Sequence, residues 1–175
     1  MGDLEKNRLN CSNFIHKHTT RDMSNHFSAT VKESISYSAE EAWRTNSSAI
    51  TSAHLLLGLL KVQDYAMSNL RENLGSRLSK LTTTLETMIQ STGRDNAIPR
   101  RQRGRLFRLG MRLKSRRLSL DEEAVRIIRQ SAMEASDQQN IEPRHLMLAI
   151  LHDKESSVAS VLGRFEIDDS FFKEL

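Results

Sequence analysis

Apolar residues recur along this chain at helical spacing. Val31, Ile35, Ala39 and Ala42 step by four and three, which predicts a helix from about Ser28 to Arg44 with one buried face. The small residues Ala39 and Ala42 on that face allow a second helix to cross at close range. The run His54-Leu55-Leu56-Leu57-Gly58-Leu59-Leu60 follows Thr51 and Ser52, both favourable N-cap residues. Leucine on nearly every side predicts that this second helix lies at the centre of the core. A third helix is predicted over about Tyr65 to Asn73. Leu74, Leu78, Leu81, Leu85 and Met88 predict a fourth, with one continuous stripe.

The same pattern returns downstream. Ser38-Ala39-Glu40-Glu41-Ala42 is matched by Ser131-Ala132-Met133-Glu134-Ala135, at an offset of 93. Ile50 and the leucine run are matched by Ile141 and His145-Leu146-Met147-Leu148-Ala149-Ile150-Leu151, at an offset of 91. Phe27, Val31, Ile35 and Ala39 correspond to Leu120, Ala124, Ile128 and Ala132. A change of length belongs in a loop, so a helix stands on either side of it. In the second copy Pro143 falls where a first-turn proline is tolerated, because its missing N–H would have no helical partner. Ser156 to Arg164 is the counterpart of the third helix, and a short last helix begins near Asp168. The chain therefore reads as an all-α duplication of four helices each.

Two stretches fall outside the repeats. Residues 1–25 are polar and aperiodic and are expected to fray. Residues 91–117 form a connector containing Gly93, Pro99, Gly104 and Gly110, in which Leu109, Met111 and Leu113 alternate as a short strand would. Charge concentrates there. From Arg94 to Arg117 there are ten Lys or Arg against one acid, Asp95, a local charge of +9, so the rest of the chain carries −5 of the net +4. The basic balance describes one segment and not the surface as a whole.

Composition narrows the class further. Aromatic residues are 5% of the chain, so the core must be aliphatic, a mix that favours helix over strand. The single cysteine, Cys11, excludes an internal disulfide and suits a reducing, cytoplasmic compartment. No apolar run approaches 18 residues, so neither a membrane span nor a membrane partner is expected. The first 25 residues lack the apolar stretch of a signal peptide.

The paired motif resembles the Clp repeat, which forms the N-terminal domain of the AAA+ unfoldases ClpA, ClpB and ClpC. The shared features are Phe27-Ser28 at a helix start, Glu-x-Ala near its end, Ile50 four residues before His54, and the run His54 to Leu60, all duplicated. The resemblance covers about Phe27 to Leu175. It implies an all-α pair of four-helix repeats related by a pseudo-twofold axis, with repeat one over 26–90, a basic linker over 91–117 and repeat two over 118–175. It also implies a non-catalytic module that recruits substrate or adaptor proteins to a Clp-type unfoldase or protease, with no cofactor. The module would be the N-domain of a longer chain or a free-standing accessory, like the ClpT-type proteins. By resemblance the partner-binding candidates are Ser28, Ala53, His54, Asp121, Arg144 and His145. Ala53 and Arg144 stand where family members usually carry the Glu that helps ClpC-type domains bind phosphoarginine, and Asp121 replaces a hydroxyl residue. The resemblance does not carry phosphoarginine binding over to this chain.

Chemistry is otherwise sparse. No two of the seven glycines stand five residues apart, so there is no phosphate-cradling P-loop. Cys11, His16, His18 and His26 lack any established zinc spacing, and exposed tail histidines are the simpler reading. His54 and His145 recur because the chain is duplicated; each opens a core helix, where an imidazole can bond a neighbouring backbone group. Glu41 and Glu134 read as solvated charges near basic neighbours, and Trp43 as a residue that packs at its helix end, with contact to a partner as the alternative. The alternative partner is nucleic acid. Arg100, Arg101, Arg103, Arg105, Arg108, Arg112, Lys114, Arg116 and Arg117 could meet phosphates, with Phe107 to stack on a base.

Overall fold

The computed structural model describes residues 26–92, 118–135, 138 and 140–173. The N-terminal segment and the body of the basic connector lie outside the described residues. With them go the expectations of a frayed tail and of a strand-like piece at Leu109 to Leu113.

Repeat one begins with α1 (Ala29–Arg44), capped by Ser28, whose Oγ accepts the Val31 N–H at 3.2 Å. Its apolar stripe buries Val31, Ile35 and Ala42. Next comes α2 (Ser52–Leu59), every residue of which is buried, as its leucines predict. Then α3 (Tyr65–Leu74) follows the N-cap Asp64, whose carboxylate accepts from the Ala66 and Met67 amides. Helix α4 (Arg77–Thr92) completes the repeat. The predicted continuous stripe is corrected here. Leu74 ends α3, and Gly75 breaks the chain with φ of +48°, a left-handed conformation that suits glycine. Within α4 the fully buried residues are Leu81, Leu85 and Ile89, with Leu78 and Met88 on the flanks.

Repeat two contains α5 (Glu122–Glu134), α6 (Pro143–His152), α7 (Ser157–Arg164) and the short α8 (Ser170–Lys173). Pro143 occupies the first turn of α6. The two-residue length difference falls between the motif helices: α1 runs three residues past Glu41, whereas α5 stops at the equivalent Glu134.

The repeats are tied together by exchanged backbone pairing. Strand β1 (Ala49–Ile50), just before α2, pairs in parallel with β2 (Ser119–Leu120), just before α5, with Ile50 opposite Leu120. An isolated parallel bridge joins Phe27 to Ile141. At the offsets of the duplication Phe27 corresponds to Leu120 and Ile50 to Ile141, so each bridge is the symmetry mate of the other. The amide bonds repeat the relation: Asp121 N–H donates to Ile50 O and Ser28 N–H to Ile141 O, both at 3.0 Å. This exchange is what a pseudo-twofold axis between two repeats requires, and one aliphatic core runs through both. The fold is the all-α pair of repeats that the sequence predicts; the two-residue strands are the addition.

The tightest approach of α1 and α2 falls at a glycine. A Cβ on Gly58 of α2 would stand 2.3 Å from Ser34 O and 2.2 Å from Ser38 Oγ, so α1 meets α2 along its buried serines. Ser34 and Ser38 can lie there because each hydroxyl donates to a carbonyl of its own helix, Val31 O and Ser34 O, at 2.8 Å.

Candidate partner-binding surface

The exchanged pairing brings the start of each repeat's first helix against the entrance of the other repeat's second helix. Ser28 is bonded to Ile141, two residues before α6, and Asp121 to Ile50, two residues before α2. Each first helix is capped from its N-cap side chain. Asp121 Oδ1 accepts the Ala124 N–H at 2.7 Å, the counterpart of Ser28 and Val31. Burial pushes the Asp121 carboxyl above its ordinary value, although the Ala124 N–H favours the anion.

The two helix starts differ in charge. The first turn of α1 carries no acid, and its N-cap Ser28 is tied to Ile141, just before the start of α6. Arg144 Nε lies 3.6 Å from Glu142 Oε2, beyond hydrogen-bond length, and is buried without a hydrogen-bond partner. The first turn of α5 carries Glu122 and Glu123 beside Asp121. Glu123 Oε1 is likewise buried without a hydrogen-bond partner.

The two motif histidines are structural. His54 Nδ1 accepts the Thr51 N–H at 3.0 Å, and His145 Nδ1 accepts the Glu142 N–H at 3.0 Å. Each imidazole satisfies an amide at a helix start, where helical partners are missing. With Nδ1 accepting, the His54 proton sits on Nε2, 2.9 Å from Thr45 Oγ1. His54 is completely buried, and burial lowers its pKa to about 4; burial lowers that of His145 as well. Both rings are neutral at pH 7.

Of the six candidate residues, Ala53, His54 and His145 are closed off from solvent, so their side chains do not form an outer surface. Ser28, Asp121 and Arg144 are half-buried and reachable. The nine basic candidates, from Arg100 to Arg117, lie outside the described residues.

Two further expectations are corrected. Glu41 is 4% exposed rather than solvated: Arg44 Nε donates to it at 2.7 Å and Lys61 Nζ at 2.5 Å. These cations hold its carboxyl below the ordinary value against the opposing effect of burial. Glu134 is half-buried and accepts from Gln130 at 2.9 Å, with His152 Nδ1 also at 2.9 Å. Lys61 and His152 are themselves equivalent at the offset of 91, so both repeats close the end of the second helix onto the glutamate of the first. Extending the repeat comparison one residue past Leu60 exposes this pairing. Trp43 is 48% exposed, not packed away at its helix end.

Residues 26–105 match the family model of the Clp repeat (R) N-terminal domain. Over these residues the chain is similar to the Clp repeat N-terminal domain. The match covers the first repeat and runs into the connector; the second repeat joins it through the exchanged strands and shared core. No curated protein matches the chain as a relative. The Clp repeat N-terminal domain is a non-catalytic protein-interaction module. Among the described residues no helix is long and apolar enough to cross a membrane, and no three His, Cys, Asp or Glu side chains are grouped to hold a metal ion.

Proposed function

We propose that this Clp repeat domain recruits substrate or adaptor proteins to a Clp-type AAA+ unfoldase or protease in the cytoplasm, either as the N-domain of a longer chain or as a free-standing accessory. The observation that carries the reading is the duplicated motif, which sets two equivalent helix starts on the line between the repeats. Ser28 and the neighbouring Arg144 leave one start without an acid in its first turn; Asp121, Glu122 and Glu123 make the other acidic. A difference in charge between the two starts suits a partner segment that crosses both. In the test, Arg144→Gln and Glu122→Gln, alone and together, are compared with wild type for capture of Clp subunits. Loss of capture with unchanged circular dichroism supports the reading. Full capture by the double variant removes these helix starts from it.

Nucleic acid is the second reading, and the +9 charge of residues 94–117 favours it. Neutralising about five phosphates on duplex DNA gives a log–log salt slope of about −4.5. A flat salt response, or binding that survives replacement of the connector arginines by glutamine, excludes it.

A further inference from the structure

The duplication allows corresponding places in the two repeats to be compared, and one pair has diverged in a way that opens a cleft. In repeat one the face of α1 next to the end of α2 is filled from within. The Tyr37 ring packs against the core with Lys61 Nζ 5.7 Å from its centre, a cation–π distance, and its hydroxyl donates to Glu33 Oε1 at 3.1 Å.

At the offsets of the duplication, Tyr37 corresponds to Gln130, Lys61 to His152 and Glu33 to Arg126. The ring is gone. The Gln130 amide folds along its own helix to Glu134, at 2.9 Å. What remains is a cleft of about 350 Å³ lined by Arg126, Gln130, His152, Asp153 and Lys154. It lies near the small end of ligand-sized clefts and suits one side chain rather than an extended segment.

We propose that this cleft receives a tyrosine side chain from a partner protein, which occupies from outside the place that Tyr37 fills from within. The site would be a docking point within the recruitment function and rests on that reading. Arg126 and Lys154 supply cations for the face of a ring, as Lys61 does in repeat one. Arg126 already donates to Asp153 Oδ2 at 3.2 Å, so a phenolic hydroxyl joins that pair from the cleft side, donating to the carboxylate. Phenylalanine could not add this hydrogen bond. Alanine or leucine would lack the π-face.

The test uses the full chain, amide-detected NMR and the capped peptides Ac-Gly-Tyr-Gly-NH2, Ac-Gly-Phe-Gly-NH2 and Ac-Gly-Ala-Gly-NH2. The tyrosine peptide should shift amides at Arg126, Gln130, His152, Asp153 and Lys154, with at least threefold weaker binding for phenylalanine and none for alanine. Gln130→Tyr should fill the cleft with the chain's own ring and abolish these shifts while circular dichroism is unchanged. Lys154→Gln, on an exposed position, should weaken binding at least threefold and serves if Gln130→Tyr does not fold. Equal shifts with the alanine peptide, or undiminished binding by the folded variants, overturns the proposal. Clp capture by a chain that gives no tyrosine shifts overturns the cleft and leaves recruitment standing. Tyrosine binding at the cleft without Clp capture supports the cleft and removes recruitment.

Discussion

Replacing Gly58 by alanine tests the packing at the centre of repeat one. The added Cβ would lie 2.2 Å from Ser38 Oγ, 2.3 Å from Ser34 O and 2.8 Å from Ser38 N. Carbon contacts need about 3.5 Å, so α1 and α2 must separate by about 1 Å along their crossing. Two of the three atoms belong to the backbone and cannot rotate aside. Overpacking of this kind costs about 1–3 kcal/mol or more, and a forced shift of two buried helices belongs at the upper end. Alanine returns about 1 kcal/mol through helix propensity. The net expectation is a loss of about 2 kcal/mol, or a Tm lower by about 4–8 °C for a chain of this size. Thermal and urea unfolding followed by circular dichroism at 222 nm reads both. Ser38→Ala removes the shortest contact but not the backbone ones, so Gly58→Ala/Ser38→Ala should remain destabilised. Ala149 is the equivalent residue of α6, and Ala149→Gly should lose stability for the opposite reasons, a lost side chain and a freer backbone. A Tm for Gly58→Ala equal to or above wild type would refute the close crossing.

Three further outcomes follow from the same geometry. The lowered pKa of His54 means that the unfolded chain binds a proton the folded one refuses; stability is complete above pH 6.5 and falls as pH drops toward 4, by about 3 kcal/mol in all. Urea midpoints across that window should flatten in His54→Gln, and an unchanged slope contradicts the buried neutral ring. Glu41→Ala strands Arg44 and Lys61, but both cations are partly solvated, so the loss should be about 1–2 kcal/mol by chemical denaturation; no loss would mean that the ion pairs contribute nothing. Asp121→Ala should cost about 1 kcal/mol through the lost cap, while Asp121→Asn retains most of it; equal losses would show that charge rather than capping matters there.

The helices and their duplication were legible because periodic apolar residues and N-cap side chains are local signals. The full burial of α2 could be read from its leucines, and the histidine caps from their place at a helix start. Other features depended on contacts that no local pattern records. The step from Leu74 to Leu78 has helical spacing, so only the left-handed Gly75 reveals the break between α3 and α4. Two-residue strands are too short to show alternation. Ser34 and Ser38 look like a polar face until Gly58 is set against them. Glu41 looks solvated until Lys61, twenty residues on, closes over it. Of the candidate site, Ser28, Asp121 and Arg144 remained reachable. Ala53, His54 and His145 went inside, because motif residues at the start of a buried helix serve that helix first.

The proposed role of this domain is to bind Clp machinery or its clients. Its most direct test is affinity capture by the intact chain from a nuclease-treated lysate of its own source, at near-physiological salt, with mass spectrometry of what is retained. Enrichment of Clp unfoldase, protease or adaptor subunits is the predicted result. Retention of none of them, with binding restored only when nucleic acid is left intact, would contradict the claim and assign the function to the basic connector.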